Sequence, residues 1–132
     1  LKREVGSLVP KPVNLDRFPG VEAERIATLR KAGIVTSQDY VEQYLGVRDE
    51  LFCLCDLVRI NGVGPVAAKV LYDAGFTAIV DVATANADEL LERIDAVNRV
   101  KQYYKAALGL KDMQCCIDYA QLIARIEELP VS

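Results

Sequence analysis

Apolar positions along this chain return at spacings of three and four, which predicts helices. Ile26, Leu29 and Ala32 fall on one side of a helix that ends at Ala32-Gly33. Ala67, Val70, Leu71 and Ala74 do the same before Ala74-Gly75. Between them, "VRDELFCLCDLVRI" (47–60) reads as a helix capped near Asp49, with Leu51, Leu54, Leu57 and Val58 as its inward stripe. Asn86, with Glu89 three residues later, opens a helix carrying Leu90, Leu91, Ile94 and Val97. Gly109 breaks the pattern, and Asp112 caps a last helix with Ile117, Ile123 and Ile126 inward. Strand-like residues gather only in "FTAIVDVAT" (76–84), where a short helix fits equally well. Residues 1–14 carry two prolines and no helical period, so they read as an extended arm or linker.

The pattern repeats. "FPGVEAERIATLRKAGIVTSQDYV" (18–41) lies over "INGVGPVAAKVLYDAGFTAIVDVA" (60–83) without a gap, 42 residues apart. Gly20 falls on Gly62, Leu29 on Leu71, Gly33 on Gly75 and Asp39 on Asp81. Each copy reads as a glycine-containing turn, a helix of about ten residues, a glycine in the left-handed position past its end, and a second short helix. The second helix of copy one begins Thr36-Ser37-Gln38-Asp39, a capping-box pattern, and copy two has Ala78 in place of Thr36. The repeat favours a helix for 76–84. Solenoids stack three or more units, and two copies suit a closed helical domain better.

Composition narrows the chemistry. The chain has 132 residues, enough for one domain with a single core, and no tryptophan, so that core is aliphatic. It has no histidine, which excludes nucleophile–histidine triads and removes the commonest metal ligand. Cysteines at 53, 55, 115 and 116 form no C-x-x-C pair. On a helix Cys53 and Cys55 point about 200° apart, so they read as small buried hydrophobes in a reducing compartment, with no metal and no cofactor expected. No apolar run reaches the length of a membrane span and no signal-peptide pattern opens the chain, so a cytoplasmic location with no membrane partner is the expectation. The net charge of −3 argues against a strong nonspecific nucleic-acid binder. One stretch differs: "VNRVKQYYKAALGLK" (97–111) holds Arg99, Lys101, Lys105 and Lys111 without an acid, around Tyr103 and Tyr104, which reads either as a solvated helix face with its tyrosines half in the core or as a surface for nucleic acid.

"INGVGPVAAKVLYDAG" resembles the helix-hairpin-helix motif, with its apolar-x-Gly-apolar-Gly turn. Two such units resemble the tandem helix-hairpin-helix domains of DNA repair and recombination proteins. A closer likeness, from about Phe18 to Leu129, is carried by "CDLVRINGVGPVAAKVLYDAGFTAIVDVATANADELLERIDAVN". It is to an uncharacterised, mainly bacterial family, catalogued as a domain of unknown function with paired helix-hairpin-helix units. The resemblance implies an all-α fold with two pseudo-symmetric helix-hairpin-helix units, copy one at about 18–45 and copy two at about 60–85. C-terminal helices at about 87–129 would complete a single domain over 15–132.

In hairpins of this kind, backbone amides of the turn and of the helix after it face an anion at a helix N-terminus. Applied here, Gly62, Val63 and Gly64 would hold a phosphate through their amides, with Lys69 assisting and Arg99, Lys101 and Lys105 adding phosphate contacts beside stacking tyrosines. Val66 occupies the position where many binding hairpins carry a cation. Copy one has Glu22 in place of the second glycine, with Glu24 following, and two carboxylates repel a phosphate; it reads as the structural half, with Arg25 its one cation near the turn. The leading expectation is a non-enzymatic, sequence-independent module for the DNA or RNA backbone. The competing one is a protein–protein interaction module using the arm and the Tyr103–Tyr104 region. A DNA-glycosylase reading, with Asp81 as the essential aspartate 17 residues beyond Gly64, fails on Val66 where lyase-type members carry lysine and on the short chain.

Overall fold

A computed structural model describes residues 11–44, 49–102 and 109–128. Among them there are seven α-helices and one 3-10 turn, Leu15–Arg17, with no strand beyond an isolated bridge between Asn14 and Thr36. The fold is all-α. The helices are α1 (Ala23–Lys31), α2 (Ser37–Gln43), α3 (Glu50–Leu57), α4 (Pro65–Asp73), α5 (Ile79–Ala83), α6 (Ala87–Lys101) and α7 (Leu110–Ile126). The chain divides into two compact units, Leu1–Lys69 and Val70–Ser132.

In the first unit α2 packs on α3, and the 3-10 turn sits by α1. Leu15, Phe18, Ile26, Leu29, Ile34 and Tyr40 are buried, as are the expected Leu51, Leu54, Leu57 and Val58 of α3. Phe52, Cys53 and Cys55 are buried too, so α3 is covered on nearly all sides and its apolar stripe is wider than predicted. Ala32 is exposed, where it was expected on the inner face. Val13 and Asn14, read as the end of an arm, are joined to the body. The Val13 N–H donates to Ser37 Oγ (3.0 Å) and the Ser37 N–H to the Val13 carbonyl (2.7 Å). Residues 1–10 lie outside the described part.

In the second unit α7 packs on both α5 and α6. Val70, Leu71, Ala74, Phe76, Ile79, Val82, Leu90, Ile94, Met113, Ile117, Ala120 and Ala124 are buried. Leu91 and Val97 are half-buried. Ile126, expected inward, is 72% exposed, because it lies at the end of α7 and off the arc of its buried residues. Within α4, Ala68 rather than Ala67 is fully buried. The expected Val70, Leu71 and Ala74 are on the inner face, so it keeps the predicted direction and widens towards Ala68, with Ala67 half-buried at its edge.

Helix starts explain the local structure. Thr36 and Asp39 form the predicted capping box, with Thr36 Oγ1 accepting from the Asp39 N–H (3.2 Å). Asp49 Oδ1 accepts from the Phe52 N–H (2.8 Å) at α3, and Asn86 Oδ1 from the Glu89 N–H (2.8 Å) at α6. At α7 the N-cap is Gly109, and Asp112, three residues in, accepts the Gly109 N–H (3.0 Å).

Hydrogen bonds recur 42 residues apart. Asp39 Oδ2 accepts the N–H groups of Val35 and Thr36, and Asp81 Oδ2 those of Thr77 and Ala78, all at 3.0 Å. The Ile34 N–H donates to the Leu29 carbonyl and the Phe76 N–H to the Leu71 carbonyl, both at 2.9 Å. The Ile26 N–H reaches the Glu22 carbonyl (3.1 Å) and the Ala68 N–H the Gly64 carbonyl (2.9 Å). Gly20 and Gly62 have φ of 82° and 93°, and Gly33 and Gly75 of 83° and 98°.

Candidate functional site

The turn into α4 is built from Ile60 to Pro65. Ile60 is fully buried, and its N–H donates to the Leu57 carbonyl (3.1 Å) as α3 ends. Asn61 and Gly62 are exposed. At Gly62 the chain turns through φ +93°, a region that a side chain penalises and glycine enters freely. Val63 is buried, and its N–H already donates to the Ile60 carbonyl (3.0 Å). Val63 therefore departs from the expectation of three outward amides: it anchors the turn through its side chain and has no N–H to give.

Pro65 then begins α4 where its missing N–H removes nothing from the ladder. A helix leaves its first amides without partners. Among the described residues no acceptor faces the N–H groups of Gly62, Gly64, Val66 or Ala67. A Cβ at Gly64 would meet nothing within 4 Å, so the backbone there is open to close approach. The result is an exposed loop followed by a helix start carrying unpaired donors, at the positive end of the α4 dipole. The signal for the Val66 and Ala67 amides was present in the sequence, since they follow a proline at the first helical position. The inward Val63 amide had no such signal.

Lys69 lies one turn into α4, but its Nζ is 2.8 Å from Glu50 Oε1 and its side chain is only 17% exposed. Its charge is matched within the protein. Val66, at the position where a cation was sought, is 42% exposed.

The corresponding turn of the first copy is chemically different. Glu22 is the N-cap of α1 and makes no side-chain cap bond. Arg25 Nη2 donates to Tyr40 Oη (2.7 Å) and to Asp49 Oδ2 (2.8 Å), and the Tyr40 hydroxyl donates to the same carboxylate oxygen (2.9 Å). Sequence reasoning missed this triad, because its members are 9 to 24 residues apart. Burial, then the hydrogen bond to Asp49, pushes the Tyr40 hydroxyl up to about 12. Burial works to raise the Asp49 carboxyl, but the Phe52 amide, Arg25 and Tyr40 outweigh it and hold Asp49 below the usual carboxylate range. A cavity of about 310 Å³ beside this turn is lined by Gly20, Glu22, Arg25, Glu50 and Leu54, among others. Its one cation is occupied and its two glutamates disfavour an anion.

The turn lies in the first unit and the basic stretch in the second. Arg99 is exposed at the end of α6. Lys101 Nζ is 3.0 Å from Asp73 Oδ2. Lys105, Tyr103 and Tyr104 lie outside the described residues. Asp81, the candidate for a catalytic carboxylate, holds the Thr77 and Ala78 amides at the start of α5. Among the described residues no three of His, Cys, Asp and Glu are placed to hold a metal ion. Cys55 is fully buried, and that burial pushes its thiol up to about 12, out of the reactive range. No helix among the described residues is long and apolar enough to cross a membrane.

Residues 47–123, more than half of the chain, match the family described as Domain of unknown function (DUF4332). The chain belongs to the DUF4332 family. The matched region runs from just before α3 into α7 and contains the whole Gly62–Ala67 turn. A second similarity is to the ATP-dependent DNA helicase Hel308 of Aeropyrum pernix, 48% identical over 46 residues. That alignment covers 35% of this DUF4332 chain and 6% of the helicase, so the similarity is to a small piece of a much larger protein. No solved structure matches the chain.

Proposed function

We propose that this chain is a non-enzymatic module that binds the phosphate backbone of nucleic acid through the Gly62–Ala67 turn. The observation that carries the proposal is the set of amides at Gly62, Gly64, Val66 and Ala67, which face no acceptor among the described residues and open onto a helix N-terminus. A phosphate oxygen would accept from two or three of them, and Gly64 leaves room for its approach. Contacts of this type read no base sequence. The recurrence of turn, helix and cap at a 42-residue separation supports reading the chain as two copies of one helix-hairpin-helix unit. The short similarity to a protein named as a DNA helicase points the same way.

In this reading the two copies have divided their roles. The first has a carboxylate where the second has Gly64, and its arginine is held by Asp49 and Tyr40. The second keeps the open amides. Because Lys69 is paired with Glu50, the turn supplies dipoles more than charge, so the affinity is modest and falls only gently with salt. Arg99 and Lys105 would add nonspecific attraction, whereas Lys101 is matched by Asp73.

Fluorescence anisotropy with labelled duplex and single-stranded DNA tests this. At low salt the wild type should bind, the affinity should fall as salt rises, and Gly64→Glu, which copies the first turn, should abolish binding without lowering the melting temperature. No binding of DNA or RNA by the folded wild type at low salt would refute the proposal.

A further inference from the structure

Helix α7 carries two apolar stripes, one buried and one exposed or half-exposed. Met113, Ile117, Ala120 and Ala124 are buried. On a different side, Cys115, Tyr119, Leu122 and Ile126 follow one another at spacings of 4, 3 and 4 residues. At 100° per residue these four fall within an arc of about 60°. Leu122 is 44% exposed and Ile126 72%, Cys115 is exposed and Tyr119 half-exposed. This is the spacing of a helix-pairing seam.

We propose that this stripe pairs two copies of the chain, α7 against α7, in antiparallel orientation. The flanking charges select both the occupant and its direction. Asp118 and Arg125 each sit one residue before a seam position, on the same side of it, and both are exposed. When Tyr119 packs against Leu122 of a second copy, and Cys115 against Ile126, Asp118 of each chain comes beside Arg125 of the other. The two-fold axis makes that pair twice. A Gln114 amide already donates to Asp118 Oδ1 (2.8 Å), which steadies the carboxylate on this face. The opposite flank, Cys116 and Ile123, is half-buried or buried and so unavailable to a partner. A parallel pairing would place Asp118 beside Ile123 and gain no charge pair, so the sequence of the face favours the antiparallel one.

The seam is short: from Cys115 to Ile126 the helix rises about 17 Å. A helix-on-helix contact only about three turns long buries less than the roughly 1,200–2,000 Å² of a stable dimer, so association is weak and follows concentration. The proposal stands apart from nucleic-acid binding and uses a different surface.

Sedimentation velocity of the full chain over a wide concentration range, without nucleic acid, tests it. The wild type should move from monomer to dimer as concentration rises. Leu122→Lys should raise the dimer Kd at least about tenfold with an unchanged melting curve. Asp118→Arg and Arg125→Asp should each weaken the dimer, and the double reversal should restore it. A wild type that stays monomeric up to millimolar concentration overturns the proposal. So does a dimer indifferent to Leu122→Lys. A double reversal no tighter than either single change overturns the antiparallel register.

Discussion

Gly64→Asp should make the protein more stable and less able to bind. Gly64 is the residue before α4, and its carbonyl accepts the Ala68 N–H (2.9 Å). A Cβ there would meet nothing within 4 Å. The carboxylate of an aspartate at this cap can therefore swing onto the Val66 or Ala67 amide, a gain of a few tenths of a kcal/mol over glycine. Its charge at the helix N-terminus adds about 0.3–1 kcal/mol. Removing a glycine from the unfolded chain adds roughly 0.4–1 kcal/mol. The three act in one direction, and a net gain of about 1 kcal/mol should raise Tm by about 4 °C. The same carboxylate occupies the place proposed for the phosphate, so affinity for DNA should disappear. Thermal and urea melts followed by circular dichroism give the first quantity, and anisotropy the second. A loss of more than about 1 kcal/mol would mean that the Gly64 backbone or its amides are not open as described. A stability gain with unchanged DNA affinity would mean that phosphate is held elsewhere.

Other substitutions test the frame around the turn. Gly62→Ala forces a side chain into φ +93° and should cost about 1–2 kcal/mol in urea melts, in contrast to Gly64. Leu57→Ala removes a side chain that is 0% exposed and should cost about 2–5 kcal/mol, read from the same curves. Asp39→Ala should cost about 1 kcal/mol by freeing the Val35 and Thr36 amides. Those two amides hold the Asp39 carboxyl below its ordinary value. Its contribution is therefore complete above about pH 4 and fades as pH falls below that, so the gap between wild type and Asp39→Ala should close in an acid titration.

Much of the fold was legible because it rests on local chemistry. Asp49, Asn86 and the Thr36–Asp39 box announce helix starts by side chains that reach amides three residues away. The alignment of Asp39 with Asp81 foretold a shared role, although Ala78 lacks a side-chain oxygen to complete the box. Asp81 instead takes the Thr77 and Ala78 amides by itself. What the pattern misjudged depends on packing from outside the helix. Ala67 and Ala68 are indistinguishable by hydrophobicity, and only the neighbours decide which is covered. Ile126 continues the apolar series of α7 yet lies off its buried arc. At the site, Gly62 and Gly64 were visible as turn residues. The pairing of Lys69 with Glu50, 19 residues away, and the closed Val63 amide depend on how the chain returns on itself, which spacing does not encode.

The turn itself can be watched directly. In amide-resolved nuclear magnetic resonance of the labelled protein, a short DNA duplex added at low salt should move the Gly62, Gly64, Val66 and Ala67 resonances first and saturably, and added salt should return them. If those four stay fixed while the duplex is bound, or if no resonance moves at all, the open amides are not a phosphate site.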